Sequence, residues 1–101
     1  AGVTEGGWPA REPAAAEIAV VCRRLYERGL IAGGEGNVSV RLGPDRVLAT
    51  PAGMAKCDVR PDDLVEVGLD GRHLAGGRRV STEVAMHLRV YQRRDDVRAV
   101  V

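Results

Sequence analysis

Phenylalanine is absent from this chain of 101 residues, and one Trp with two Tyr make aromatics only 3% of it. Its core must be assembled from Val, Leu, Ile and Ala. Cysteine is scarce as well. Cys22 and Cys57 are too far apart for a CxxC pair and too few for a disulfide framework, which leaves two reduced thiols. Cys22 falls on the apolar face of a predicted helix as a small hydrophobe, with no nearby positive field to make it reactive. Long hydrophobic runs are missing too. None has the length to span a bilayer, and Ala1 to Pro13 lacks the apolar centre of a secretory signal, so a soluble, cytoplasmic protein with no membrane partner is expected. Charge of one sign is not in excess either. Fifteen Lys and Arg against fourteen Asp and Glu leave a net charge of +1, which provides no field to hold nucleic acid.

What remains is the composition of an ordinary globular domain, 45% hydrophobic and 29% charged, at a length that suits one domain with a modest core. Residues 1–12 mix Gly, Pro and Trp8 without a period, and a flexible lead-in with little structure before Pro13 is expected. From Pro13 to Arg28, Ile18, Val21, Cys22 and Leu25 recur at helical spacing, with Pro13 suited to the first turn and Gly29 to the C-terminal cap. A glycine-bearing loop follows from Leu30 to Gly36. Val38 and Val40 then alternate with Ser39 and Arg41 as a strand, Gly43-Pro44-Asp45 is a turn, and Val47 to Thr50 returns as the second strand of a hairpin.

Pro51 and Pro61 exclude a long helix between them, and Pro61-Asp62-Asp63 suits a short turn. Leu64 to Leu69 is a third strand, ended by Asp70-Gly71, a two-residue hairpin signal, with a weaker strand at His73 and Leu74. Ser81 or Thr82 can cap a second helix whose Val84, His87, Leu88 and Tyr91 share one face and which ends near Arg93 or Arg94. Val97 to Val101 is a further strand, buried on both sides or cut short. It is apolar to its end, and so reads as continuing into something longer. Helix, hairpin, strand pair, helix and strand make a mixed α/β domain.

Three short segments carry the chemistry: Gly36 to Ser39 (GNVS), Thr50 to Gly53 (TPAG), and Ser81 to Glu83 (STE). Small residues, hydroxyls and an amide allow backbone to cradle an anion, and Glu83 adds one carboxylate, a phosphate pocket beside an acid/base. Each segment also has a plainer meaning when taken alone. Glycine loops are usually turns, Ser81-Thr82-Glu83 is a helix cap with an acidic first turn, His87 is a hydrogen-bonded helix residue beneath the sheet, and Arg78-Arg79 and Arg93-Arg94 are solvated pairs.

Taken in order, the run from Gly29 to Arg41, Thr50-Pro51-Ala52-Gly53, Pro61 to Val65, Ser81-Thr82-Glu83, Met86-His87 with Tyr91, and Asp96-Val97 resembles the N-terminal half of the class II aldolase/adducin family. The resemblance covers nearly everything from Leu25 onward. It implies a three-layer α/β/α fold with a mainly antiparallel sheet, of which residues 13–101 would be the N-terminal part of one domain, truncated on its C-terminal side. It also implies a homotetramer with active sites between subunits.

The implied activity is that of a metal-dependent sugar-phosphate aldolase similar to L-fuculose-1-phosphate aldolase. Such an enzyme cleaves its substrate to dihydroxyacetone phosphate and an aldehyde through an enediolate. Sister epimerases and dehydratases of phosphorylated sugars share the family, as does the non-catalytic adducin branch, which uses the fold for assembly. Carried over, Asn37, Thr50, Gly53, Ser81 and Thr82 take the positions that hold the substrate phosphate, and Glu83 that of the carboxylate that moves the proton. Retention of Glu83 beside these groups favours the enzyme over a scaffold, and a carboxylate suits the task if burial raises its pKa.

The family's zinc, or another divalent ion, implies a His-x-His pair and a later histidine, none of which this chain contains. His73 and His87 match no ligand position, and Glu83 with His87, at i, i+4, is the one local pair that could share a metal, short of the three ligands a catalytic zinc wants. Alone, the chain is expected neither to bind zinc tightly nor to catalyse cleavage, and to be marginally stable and self-associating through exposed apolar faces. Two departures from the family pattern are visible. Val80 stands where a proline commonly precedes the Ser-Thr-Glu segment, and Arg94-Asp95-Asp96 replaces Arg-Pro-Asp, which should bear on helix termination rather than chemistry.

Overall fold

The computed structural model describes residues 6–31 and 36–101. The part of the expected glycine loop at 32–35 lies outside them. Helix α1 (Arg11–Glu27) and helix α2 (Val84–Arg93) flank a five-stranded sheet of β1 (Ser39–Gly43), β2 (Arg46–Ala49), β3 (Val65–Val67), β4 (His73–Ala75) and β5 (Ala99–Val100). The strand order is β4-β3-β2-β1-β5, and every neighbouring pair is antiparallel.

Strand periodicity sorts the side chains into two cores, because successive residues point to opposite faces. On β2, Leu48 joins the cluster built on Ala14, Ala15, Ile18 and Cys22 of α1, together with Val38, Leu42, Val59 and Leu64. Its neighbours Val47 and Ala49 join Val65, Val67, Val84, Leu88 and Tyr91 on the α2 side. The expected helix faces are the ones that are buried, and the layers are helix, sheet, helix.

Helix α1 begins at Arg11, two residues before Pro13, which sits in the first turn where its missing N–H costs nothing. The lead-in is therefore shorter than expected. Trp8 already packs against the sheet end, with the Arg98 guanidinium 3.7 Å from its ring centroid and that of Arg41 at 5.4 Å. At the other end Gly29 takes φ +70°, the Gly29 N–H donates to the Tyr26 carbonyl and the Leu30 N–H to the Leu25 carbonyl, both at 3.0 Å. This is a Schellman cap of the kind glycine favours.

The Asp70-Gly71 turn closes differently from the two-residue hairpin expected. Gly71 alone takes positive φ (+90°), the Gly71 N–H donates to the Gly68 carbonyl at 2.9 Å, and Gly68 N–H to the Arg72 carbonyl at 3.0 Å. The loop is thus three residues long, since a two-residue type I′ turn would force Asp70 into the left-handed region as well. Pro61–Asp63 forms the short turn anticipated, as a single 3-10 turn in which the Asp63 carboxylate accepts the Arg60 N–H at 3.0 Å. Helix α2 stops at Arg93 although the proline that the resemblance implied after it is absent. Arg94 turns extended, and its guanidinium holds Asp96 at 2.7–2.8 Å.

The α2 side of the sheet also carries a buried polar cluster. Ser39 Oγ lies 2.7 Å from His87 Nδ1 and 2.8 Å from the Tyr91 hydroxyl, which donates to the Ser39 carbonyl at 3.1 Å. Arg41, also buried, donates to the Gly43, Pro44 and Tyr91 carbonyls, tying the β1–β2 turn to the end of α2. Among the described residues no buried side-chain polar atom lacks a partner, and no helix is long and apolar enough to cross a membrane.

Two outcomes are expected. Ser39→Ala strips His87 and Tyr91 of a shared partner inside the core and should lower stability by about 1–3 kcal/mol in denaturant titration, against little change for a surface Ser→Ala. Burial pushes the His87 imidazole below its usual value of 6.5, with the Glu83 charge partly opposing. The unfolded chain therefore binds this proton more readily than the folded one, so stability is complete above the unfolded value and falls as pH drops below it. Melting temperatures followed from pH 7.5 to 5 should show this decline, and His87→Gln should flatten it.

Candidate active site

The three segments singled out in the sequence converge at one end of the sheet. Asn37 precedes β1, Thr50 follows β2, and the Ser81–Glu83 turn crosses from β4 to α2. The crossing is pinned by an isolated antiparallel bridge between Pro51 and Val80 and by the Ala52 N–H donating to the Arg79 carbonyl at 2.8 Å. Val80 thus anchors the turn through the sheet's own hydrogen bonding, at the position where the resemblance implied a proline.

Between these segments lies a cleft of about 570 Å³ lined by Gly36, Asn37, Pro51, Gly53, Ser81, Thr82 and Glu83, with Lys56 completing the wall. Gly36 (φ +79°) and Gly53 (φ +69°) both take left-handed backbone there, and a Cβ on Gly36 would come within 3.1 Å of Ile31 Cγ2. Glycine is what allows both segments to turn at the cleft edge.

A directional hydrogen-bond chain runs through the wall. The Val38 N–H donates to Thr50 Oγ1 at 3.2 Å, the Thr50 hydroxyl to Asn37 Oδ1 at 3.3 Å, and Asn37 Nδ2 to Glu83 Oε2 at 2.8 Å. Both ends of the Asn37 amide are thereby specified, and links of this kind reinforce one another in a protein interior. The five residues expected at a phosphate are not equivalent. Asn37, Gly53, Ser81 and Thr82 line the cleft, whereas Thr50 is fully buried behind it and acts on the cleft through Asn37. Ser81 also serves the helix start, its Oγ accepting the Glu83 N–H at 3.3 Å. Three i→i+3 bonds then lead into α2, from the Val84, Ala85 and Met86 N–H groups.

Glu83 occupies the rim and is exposed, so the burial invoked for it from sequence is not present; the Asn37 amide fixes its carboxylate instead. Among the described residues no three His, Cys, Asp or Glu side chains come together as metal ligands. Nor do Glu83 and His87 act as a pair. His87 is turned into the core, with Nδ1 engaged by Ser39. The described residues do not make a divalent-metal site by themselves. Cys22 is fully buried in the α1 core, and burial pushes its thiol up; contrary to the expectation of no nearby positive field, the Lys56 charge opposes this in part.

Sequence reasoning missed Lys56. It lies in a stretch without periodicity, in the single 3-10 turn Lys56–Asp58, yet it is 2% exposed and its Nζ donates to the Met54 carbonyl at 3.2 Å. One signal was available. It is the only lysine in the chain, the other fourteen basic residues being arginine.

Comparison with known proteins adds to this geometry. The family described as Class II Aldolase and Adducin N-terminal domain matches residues 16–101. An L-fuculose phosphate aldolase of Methanocaldococcus jannaschii is 37% identical over 81 residues, covering 80% of this chain and 43% of that protein. A 3-oxo-tetronate 4-phosphate decarboxylase of Haemophilus influenzae is 39% identical over 79 residues, covering 78% and 37% respectively. The crystal structure of L-fuculose-1-phosphate aldolase from Thermus thermophilus superposes with a TM-score of 0.75 at 36% identity, covering 89% of this chain and 44% of that one. The chain spans less than half the length of these relatives. Matched by that family model over residues 16–101, this chain belongs to the class II aldolase and adducin N-terminal domain family.

Proposed function

We propose that this chain carries the phosphate-binding and proton-transfer portion of a lyase acting on a phosphorylated sugar, in the manner of an L-fuculose-phosphate aldolase. The observation that carries this reading is the 2.8 Å hydrogen bond from Asn37 to Glu83, which joins the anion cradle and a carboxylate in one cleft. The aldolase and decarboxylase relatives differ in the bond they break, but both names specify a phosphorylated substrate. The phosphate end is therefore the part most readily transferred to this chain.

In this scheme the hydroxyls of Ser81 and Thr82 and the backbone of the Gly53 turn receive the phosphate, and a second N–H of the Asn37 amide can serve it while the first holds Glu83. Binding by the phosphate places the substrate's carbonyl end over Glu83, whose carboxylate takes a proton from the substrate and returns it. Zinc or another divalent ion would need ligands from outside the described residues. The alternative of a purely assembling, adducin-like domain has less support, because assembly places no demand on a carboxylate held at an anion cradle. A sister decarboxylase, epimerase or dehydratase would use the same cradle.

Glu83→Gln in the intact protein should lower kcat for sugar-phosphate cleavage by about 10²-fold or more with KM little changed, since the amide keeps the shape but cannot take the proton. Full activity would overturn the assigned role. Thr50→Val should behave differently. It leaves the buried Val38 N–H without its acceptor and releases Asn37, so a stability loss of about 1–3 kcal/mol should accompany a rise in KM.

A further inference from the structure

We propose that Lys56 is a phosphate-binding residue of the cleft, supplying the cationic charge that lets a phosphate dianion lie beside Glu83. The proposal rests on the cleft being the phosphate site, as argued above, and goes beyond it in naming a group outside the three segments. Among the described residues that line the cleft, Lys56 is the one basic side chain and Glu83 the one acidic. The remaining polar lining, Asn37, Ser81 and Thr82, is neutral. A doubly charged phosphate brought next to a carboxylate meets like-charge repulsion that neutral donors offset only in part. An ammonium in the same wall changes that balance, and Lys56, only 2% exposed, is itself largely desolvated.

Placement agrees with chemistry. Lys56 follows the Gly53 turn by three residues, its Nζ donates to the Met54 carbonyl at 3.2 Å, and its side chain lines the cleft. Lys56 also lines an adjoining apolar cavity of about 330 Å³, together with Leu25, Leu30, Ile31 and Val38. Low-polarity surroundings strengthen its attraction for an anion. The choice of residue is informative in a chain that uses arginine at fourteen positions and lysine once. The planar guanidinium demands a wide fork of acceptors, whereas an ammonium binds phosphate as a point charge in a narrow space.

The test is titration calorimetry of the intact protein with inorganic phosphate, for the unaltered chain, Lys56→Met and Lys56→Gln, with thermal melts alongside. Phosphate binding should weaken by about tenfold or more in both variants; Lys56→Met, which leaves the Met54 carbonyl without its donor, should also lower the melting temperature, and Lys56→Gln should lower it less. Lys56→Gln keeps a donor for the Met54 carbonyl and covers the case in which Lys56→Met fails to fold. Phosphate binding within twofold of the unaltered protein in a folded variant would overturn the role of Lys56 and leave the cleft's function standing. Absence of phosphate binding in the unaltered protein would overturn both.

Discussion

Strand β2 is buried on both of its faces, and the architecture follows from that. Val47, Leu48 and Ala49 are all fully inaccessible, yet consecutive residues of a strand cannot share one core. Each face of the sheet must then be covered by its own helix, α1 over Leu48 and α2 over Val47 and Ala49. Pairing with β1 on one side and β3 on the other satisfies the β2 backbone, and a slip of one residue would carry Leu48 and its neighbours to the wrong cores.

The site is a by-product of that register. Ser39 pairs with Ala49, which sets Asn37 and Val38 opposite Thr50 just past the last strand pair. The Thr50 hydroxyl can then take the Val38 N–H and orient Asn37. Helix α2, fixed against the sheet by Val84, Leu88 and Tyr91, delivers Glu83 to the free end of the same amide. Packing and polar chemistry are thus coupled at both ends of α2, through Asn37 at its start and through the Ser39, His87 and Tyr91 cluster further along.

Charge in the cleft is arranged rather than accumulated. The domain as a whole is close to neutral, and most ion pairs stand in the open, such as Arg72 with Asp45 and Asp70 or Arg94 with Asp96. Pairs of that kind contribute little individually. Glu66, by contrast, is buried on the α1 face and is held by Arg46 at 3.1 Å and Arg11 at 3.8 Å, which ties the helix start to the sheet. Lys56 and Glu83 are the two charged side chains among the described residues that line the cleft.

Much of this was legible in the sequence because it is local. Helical spacing of Ile18, Cys22 and Leu25, alternation around Val40 and Val47, the Gly29 cap and the Val84, His87, Leu88 and Tyr91 face depend on residues a few positions apart. Backbone geometry alone decides these, and the three site segments were visible for the same reason, each being a short run of turn and hydroxyl residues. Tertiary structure decided everything that joins residues distant along the chain. Asn37 meets Glu83 across 46 positions, Ser39 meets Tyr91 across 52, and Trp8 meets Arg98. It also set Thr50 behind the cleft, left Glu83 exposed at its rim, and brought Lys56 from an aperiodic stretch into its wall. No local pattern encodes these, because burial and charge contact are fixed by sheet register and by the packing of both helices, and those depend on the whole chain at once.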